Sequence, residues 1–221
     1  MNFDVSAIRP SLEASLRRLQ TDYVDVLLLH NPSLDLMDGS RAPQYEELER
    51  LKTEGKLRAY GVSLDHGREL ETVMKTTRCG VVEVLFNVFH QEPLALFRQA
   101  AAAGIGLIVK VPLDSGWLSG KYDRDSRFTG IRERWSPEII ERRSSLVERF
   151  AALLPTGIPL AHAALQYILA QPEVSTVIPG AKTVEQTRNN FDATNTSLSA
   201  DVVRAIHSFW ERELKDNPLP W

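Results

Sequence analysis

The chain has 221 residues, 43% of them hydrophobic and 25% charged, with 12 Gly, 12 Pro and one Cys. That is the composition of a folded globular protein, and it excludes disordered, collagen-like and disulfide-stapled classes. With 26 basic against 29 acidic residues the net charge is −3, which argues against a nucleic-acid surface.

Cys79 has no second cysteine to pair with, so nothing asks for an oxidising compartment. The opening residues, Met1 to Ser6, lack the basic start and apolar run of a signal peptide. The longest apolar stretch, Ala100 to Val109, falls far short of the roughly 18 residues a membrane helix needs. The expectation is a cytoplasmic protein with no membrane span, forming a single domain over residues 1–221.

Ile8, Leu12, Leu16 and Leu19 stand at helical spacing, and Tyr23 to His30 (YVDVLLLH) then reads as a buried strand. A helix from about Pro43 to Glu54 is stopped by Gly55, and Leu57 to Ser63 (LRAYGVS) is a second strand. A helix over Arg68–Thr77, a strand over Val81–Phe86 and a helix over Pro93–Ala103 follow. Gly106–Val111 (GLIVKV) is the fourth strand. Pro112 to Ser136 is irregular and rich in Gly, Ser, Asp and Arg, a length of loop that usually belongs to function or disorder. Helices near Pro137–Leu153 and Leu160–Ala170 precede a fifth strand, Val174–Ile178. A short helix from about Val184 and another over Ala200–Leu214 complete the chain.

Continuous aliphatic strands alternating with helices imply right-handed βαβ units and a parallel sheet covered on both faces. A doubly wound dinucleotide fold expects a Gly-rich turn after its first strand, whereas LLLH is followed by Asn31-Pro32-Ser33. The fold class read here is therefore α/β, a (β/α)8 TIM-barrel type that is incomplete, with about five parallel strands and surrounding helices.

In such barrels functional groups sit at the C-terminal ends of strands. His30 closes the first strand, where an imidazole donates a hydrogen bond to a carbonyl or shuttles a proton; a buried histidine satisfied by backbone is the alternative. His66, His90, His162 and His207 lack metal-ligand spacing, so no metal is expected. In Ile178-Pro179-Gly180-Ala181-Lys182-Thr183, a strand turns through Gly into a helix that Thr183 caps, with Gln186 as capping-box partner. The amides at that helix start, with the charge of Lys182, suit a phosphate, and Gln186, Asn189 and Asn190 then lie within reach of a ribose or base. An ordinary capped helix is the competing reading. Lys110 reads as a binding group or, if desolvated, a Schiff-base lysine. Glu83, inside VVEVLF, must face the mouth or find a partner. Arginines between Arg124 and Arg149 read as a solvated face, and Trp117 and Trp135 either cover a ligand or pin the long loop.

Four segments together resemble the aldo-keto reductase family. Ser15-Leu16-Arg17-Arg18-Leu19, with Thr21-Asp22-Tyr23-Val24-Asp25 through His30, is similar to its SLxRLxxDYxDxxxxH signature. Gly61-Val62-Ser63 is similar to its GxSN segment. Val111-Pro112-Leu113, with Gly116 through Tyr122, resembles the PLxxGxLxGKY loop. Ile178 to Lys182, with Gln186 and Asn190, is similar to the IPGAxxxxQxxxN nucleotide segment.

The resemblance implies hydride transfer between NADP or NAD and a small-molecule carbonyl substrate. It assigns His30 to substrate orientation, Ser63 and Glu83 to the nicotinamide carboxamide, and Lys110 and Leu113 to the nicotinamide and pyrophosphate. Gly180, Ala181, Lys182, Gln186 and Asn190 fall in the adenosine-phosphate segment. Departures are Leu64 in place of asparagine, Glu83 in place of glutamine, and Lys110 where many members stack a tyrosine. The family's first three strands, with its catalytic Asp, Tyr and Lys, would precede Phe3. The expectation is a fragment, a chain completed by self-association or a missing N-terminal segment, or a remnant. Alternatives to the reductase are a nucleotide-binding or scaffold protein without turnover, and a lyase using Lys110.

Overall fold

The computed structural model describes residues 2–220, apart from the side chains of residues 131 and 132. Its five parallel strands follow the order β1-β2-β3-β4-β5, so that β1 and β5 end the series and the sheet is not closed among the described residues. The chain divides into two compact units, the first holding residues 1–85 and 93–108, the second 86–92 and 109–221.

The first unit opens with α1 (Val5–Leu19), which starts where the Asp4 carboxylate accepts the Ser6 N–H at 2.8 Å and ends at Gln20 in the left-handed region. Ile8, Leu12 and Leu16, four residues apart, form its buried stripe. Arg9 on α1 reaches Glu47 on α3 (Gln44–Thr53) and Glu54 at its C-cap, holding the two helices together. β1 (Val24–His30) pairs in parallel with β2 (Leu57–Leu64), and β2 with β3 (Val81–Leu85). That register sets His30 beside Ser63 and Ser63 beside Glu83, so the three predicted site residues form one row across the strand ends. Gly61 permits the pairing: a Cβ there would stand 1.8 Å from the Val81 carbonyl oxygen.

In the second unit, Val109 at the end of β4 (Gly106–Lys110) accepts the Ile178 N–H at 3.0 Å, just beyond β5 (Val174–Val177). Helices α6 (Pro137–Ala151), α7 (Leu160–Leu169), α8 (Val184–Asp192) and α9 (Ala200–Glu213) surround it. Its core joins Phe89 to Phe150 and Phe209 by ring contacts. A buried polar chain crosses that core: Tyr167 Oη donates to Gln91 Oε1 at 2.5 Å, and His207 Nδ1 lies 2.8 Å from the same oxygen.

The expected elements are all present, with differences that have local causes. Leu34–Met37 forms an unforeseen short helix, α2, after the Asn31-Pro32 turn. α4 spans Gly67–Thr76 and is held at its start by Glu69, whose carboxylate accepts the His66 N–H. The helix expected from Pro93 begins as a 3-10 turn over Glu92–Leu96 before α5 (Phe97–Ala102). The irregular segment carries 3-10 turns at Asp114–Ser119 and Gly130–Arg134. β1 is not covered on both faces as expected: Asp25, Val26 and His30 are exposed, since β1 ends the sheet and has β2 as its sheet neighbour. Among the described residues no helix is long and apolar enough to cross a membrane.

Candidate functional site

Each unit carries one group of functional side chains. In the first, His30 has 54% of its side chain exposed, and its Nδ1 lies 3.7 Å from Glu83 Oε2. Glu83 is 13% exposed, and Oε2 is buried without a hydrogen-bond partner. Ser63 is fully buried, and its hydroxyl donates to Asn31 Oδ1 at 2.8 Å. Asn31, in the left-handed region, passes the chain on by donating from Nδ2 to Asp65 Oδ2 at 3.1 Å. The first three strand ends therefore present an imidazole, an under-satisfied carboxylate and a polar turn.

In the second unit a cleft of about 530 Å³ opens between two turns. One wall is the segment after β4, with Val111, Leu113, Ser115 and Gly116; the other runs from Ile178 to Lys182 and on to Gln186, Asn189 and Asn190. Gly180 sits at φ 69°, the left-handed region where a side chain would be strained, and the turn there opens onto α8. Thr183 caps α8 by accepting the Gln186 N–H at 3.1 Å. Gln186 reaches back one residue further than a capping box, its Oε1 accepting the Lys182 N–H at 2.7 Å. Asn190 Nδ2 donates to the Gly180 carbonyl at 3.0 Å, fastening the turn from below. Lys121 lines the same cleft as Lys182, so two ammonium groups face an opening beside the positive end of α8.

The segment facing α8 is left-handed at Val111 (φ 52°), Asp114 (φ 47°) and Ser115 (φ 57°). A β-branched residue at positive φ is a genuine outlier, which persists only where the surroundings hold it. Asn87 Nδ2 donates to the Val111 carbonyl at 3.0 Å. Behind the loop, the fully buried Asp114 carboxylate pairs with the fully buried Arg143 guanidinium. Burial pushes the Asp114 carboxyl up, and the Arg143 charge opposes that shift.

The sequence matches the aldo/keto reductase family over residues 3–211. The chain belongs to that family. It is 30% identical over 233 residues to the NADH-specific methylglyoxal reductase of Escherichia coli, covering 96% of this chain and 67% of that protein. It is 32% identical over 201 residues to L-galactose dehydrogenase of Arabidopsis thaliana, covering 86% of this chain and 59% of the relative. Among solved structures, an aldo-keto reductase of Bacillus halodurans superposes with a TM-score of 0.77 at 28% identity, covering 93% of this chain and 68% of that one. The chain thus spans about three fifths to two thirds of the length of these relatives.

Set against the family's motifs, the second unit brings Leu113, Gly180, Ala181, Lys182, Gln186, Asn189 and Asn190 to one cleft. Their roles differ from a uniform ligand set: the Asn190 amide is committed to the turn, and Asn189 Oδ1 lies 3.0 Å from His162 Nε2. Lys110 is buried at the end of β4, already has a partner, and does not line the cleft. Sequence reasoning missed Ser115, Gly116, Ser119 and Lys121 as cleft residues, although Lys121 stands in the quoted GKY motif. It also placed Arg143 on a solvated face. The structure corrects this, because helical periodicity points Arg143 inward with Ile140 and Val147 and Asp114 supplies the countercharge. Trp117 and Trp135 pin the loop: both are buried, and they meet each other and Phe128 in tilted and edge-on ring contacts.

Proposed function

We propose that this protein is an NAD(P)-dependent oxidoreductase that reduces the carbonyl of an aldehyde or ketone to an alcohol. The observation that carries this reading is the second unit's cleft, where two lysines, a fastened glycine turn and the start of α8 converge. Phosphate fits that chemistry, since the first amides of a helix lack intrahelical partners and favour anions. Lys182 and Lys121 hold the charge, Gln186 fixes the Lys182 backbone, and Leu113 offers an apolar wall. When bound, NADP or NAD supplies the hydride.

On the first unit, His30 orients the substrate by donating a ring N–H to the carbonyl oxygen. Glu83 stands beside the other nitrogen. Titration of the chain with NADPH, NADH and ADP-ribose, followed by absorbance at the nicotinamide band with simple aldehydes, tests the reading. Binding with turnover supports it, and absence of binding sinks it.

One observation favours a second reading, a nucleotide-binding protein without turnover. The five tyrosines are all committed to packing: Tyr45 to the Met37 carbonyl, Tyr60 to Glu49, Tyr167 to Gln91, Tyr23 to Arg58 and Tyr122 to Trp117. Burial raises the first three phenols further, away from proton donation near neutrality. Nucleotide binding without aldehyde-dependent oxidation identifies this case.

A further inference from the structure

The reduction read above needs a proton for the alcohol oxygen as well as a hydride, and the five tyrosines of this chain are committed elsewhere. His30, at the end of β1, is exposed over 54% of its side chain, which opens the ring to substrate and water. Glu83 faces it from β3, with Oε2 standing 3.7 Å from His30 Nδ1, within ion-pair reach. That oxygen is buried and accepts no hydrogen bond, and among the described residues His30 is the one cation-forming group beside it. A buried carboxylate oxygen without a partner is costly, so an orphan of this kind calls for a physical account. Ser63 lies between the two strands in register, but its hydroxyl proton goes to Asn31 Oδ1 and not to the carboxylate.

We propose that Glu83 makes His30 the proton donor of the reduction, by holding one proton on Nδ1 and leaving Nε2 to exchange another with the substrate. This rests on the reductase reading above. An ionised carboxylate only accepts hydrogen bonds, so the ring nitrogen that faces it keeps its proton. The neutral imidazole then has its lone pair on Nε2, and the imidazolium carries N–H on both nitrogens. A carboxylate set against one imidazole nitrogen fixes the tautomer and stabilises the imidazolium, which is the arrangement general acid–base catalysis uses. In the reduction a hydride adds to the carbonyl carbon as the C=O π bond breaks. The electron pair released onto oxygen takes the Nε2 proton and forms the alcohol O–H. The imidazole is left neutral with its proton on Nδ1, and water returns a proton to Nε2 of the exposed ring. Glutamine, usual at this place in the family the chain resembles, has no charge with which to stabilise the imidazolium.

Nitrogen-15 NMR of the histidine-labelled chain without cofactor reads the tautomer directly, the His30 signals being assigned by their loss in His30→Gln. At a pH high enough to leave one ring proton, that proton is expected on Nδ1 in the unaltered chain and shifted toward Nε2 in Glu83→Gln. Turnover of a simple aldehyde at saturating NADPH or NADH gives the second readout. His30→Gln keeps an amide N–H to orient the carbonyl but has no proton to give up. Its kcat is expected to fall by about 10²–10⁴ while KM stays within about threefold. Glu83→Gln, of nearly the same shape, is expected to lose about tenfold or more in kcat. A proton on Nε2 in the unaltered chain, or the same tautomer in Glu83→Gln, overturns the proposal and leaves the reductase reading standing. A loss confined to KM in His30→Gln does the same, since it marks orientation alone. Absence of turnover by the unaltered chain overturns the reductase reading and the donor role with it.

Discussion

The imidazole Nδ1 of His30 lies 3.7 Å from the buried Oε2 of Glu83, two strands away in register through Ser63. Where the family usually places a carboxamide, this chain has a group that only accepts hydrogen bonds when ionised. We propose that Glu83 meets the carboxamide of a bound nicotinamide, which presents both a donor and an acceptor. Glu83→Gln restores both at nearly the same shape, and one added hydrogen bond is worth roughly 0.5–1.5 kcal/mol. The expected outcome is a roughly twofold to tenfold tighter dissociation constant for NADH or NADPH and an unchanged constant for ADP-ribose. Unchanged dinucleotide binding in the variant would show that the carboxylate serves His30 alone.

Gly61 sits where β2 meets β3, and a Cβ added there would stand 1.8 Å from the Val81 carbonyl oxygen. Backbone cannot yield as a flexible side chain does, so Gly61→Ala must break the pairing that aligns Ser63 with Glu83. Insoluble or molten protein is expected, read by loss of a cooperative melt. A cooperative transition within a few degrees of the unaltered chain would contradict the register.

Cys79 is a free, buried thiol whose burial pushes its pKa up to about 11, against a small opposing effect of the Thr77 hydroxyl. A thiol in the unfolded chain titrates near about 8.5. Because the folded value is the higher one, this group's contribution to stability is complete below the unfolded value and is lost as pH rises through about 11. Alkaline titration of stability should therefore fall across that window, and less so in Cys79→Ala. At pH 8 the native thiol should resist a disulfide reagent and react once denaturant is added. Rapid native labelling would mean the site opens.

Trp117 is fully buried and touches Tyr122, Phe128 and Trp135, at the point where the cleft loop turns back. Trp117→Ala should cost about 3–5 kcal/mol through loss of aromatic burial and the cavity left behind. Chemical denaturation measures it. A cost below about 1 kcal/mol would mean the aromatic cluster does not anchor the loop.

Much of the fold is legible in the sequence alone. Four of the five strands are legible as short apolar runs ended at Asn31, Asn87, Pro112 and Pro179, whereas the register that aligns His30, Ser63 and Glu83 is seen only in the structure. The start of α8 was readable because Gly180, Thr183 and Gln186 each do one local job. What escaped was whatever depends on contacts distant in sequence. Arg143 looks like its arginine neighbours until Asp114, 29 positions earlier, meets it. Lys121 lies outside any helix or strand, so periodicity says nothing of where it points. Gln186 differs by a single residue from its expected partner, accepting the Lys182 N–H.

The central claim is that the cleft between the Val111 turn and α8 holds the phosphates of NAD(P). Calorimetric titration with 2′-phospho-ADP-ribose and ADP-ribose, on the unaltered chain and on Lys182→Ala, tests it most directly. Saturable binding is predicted, weakened about threefold to fivefold in the variant, as befits an exposed charge, with the difference shrinking as salt rises. No binding by the unaltered chain, or equal affinity in the variant at low salt, would contradict the account.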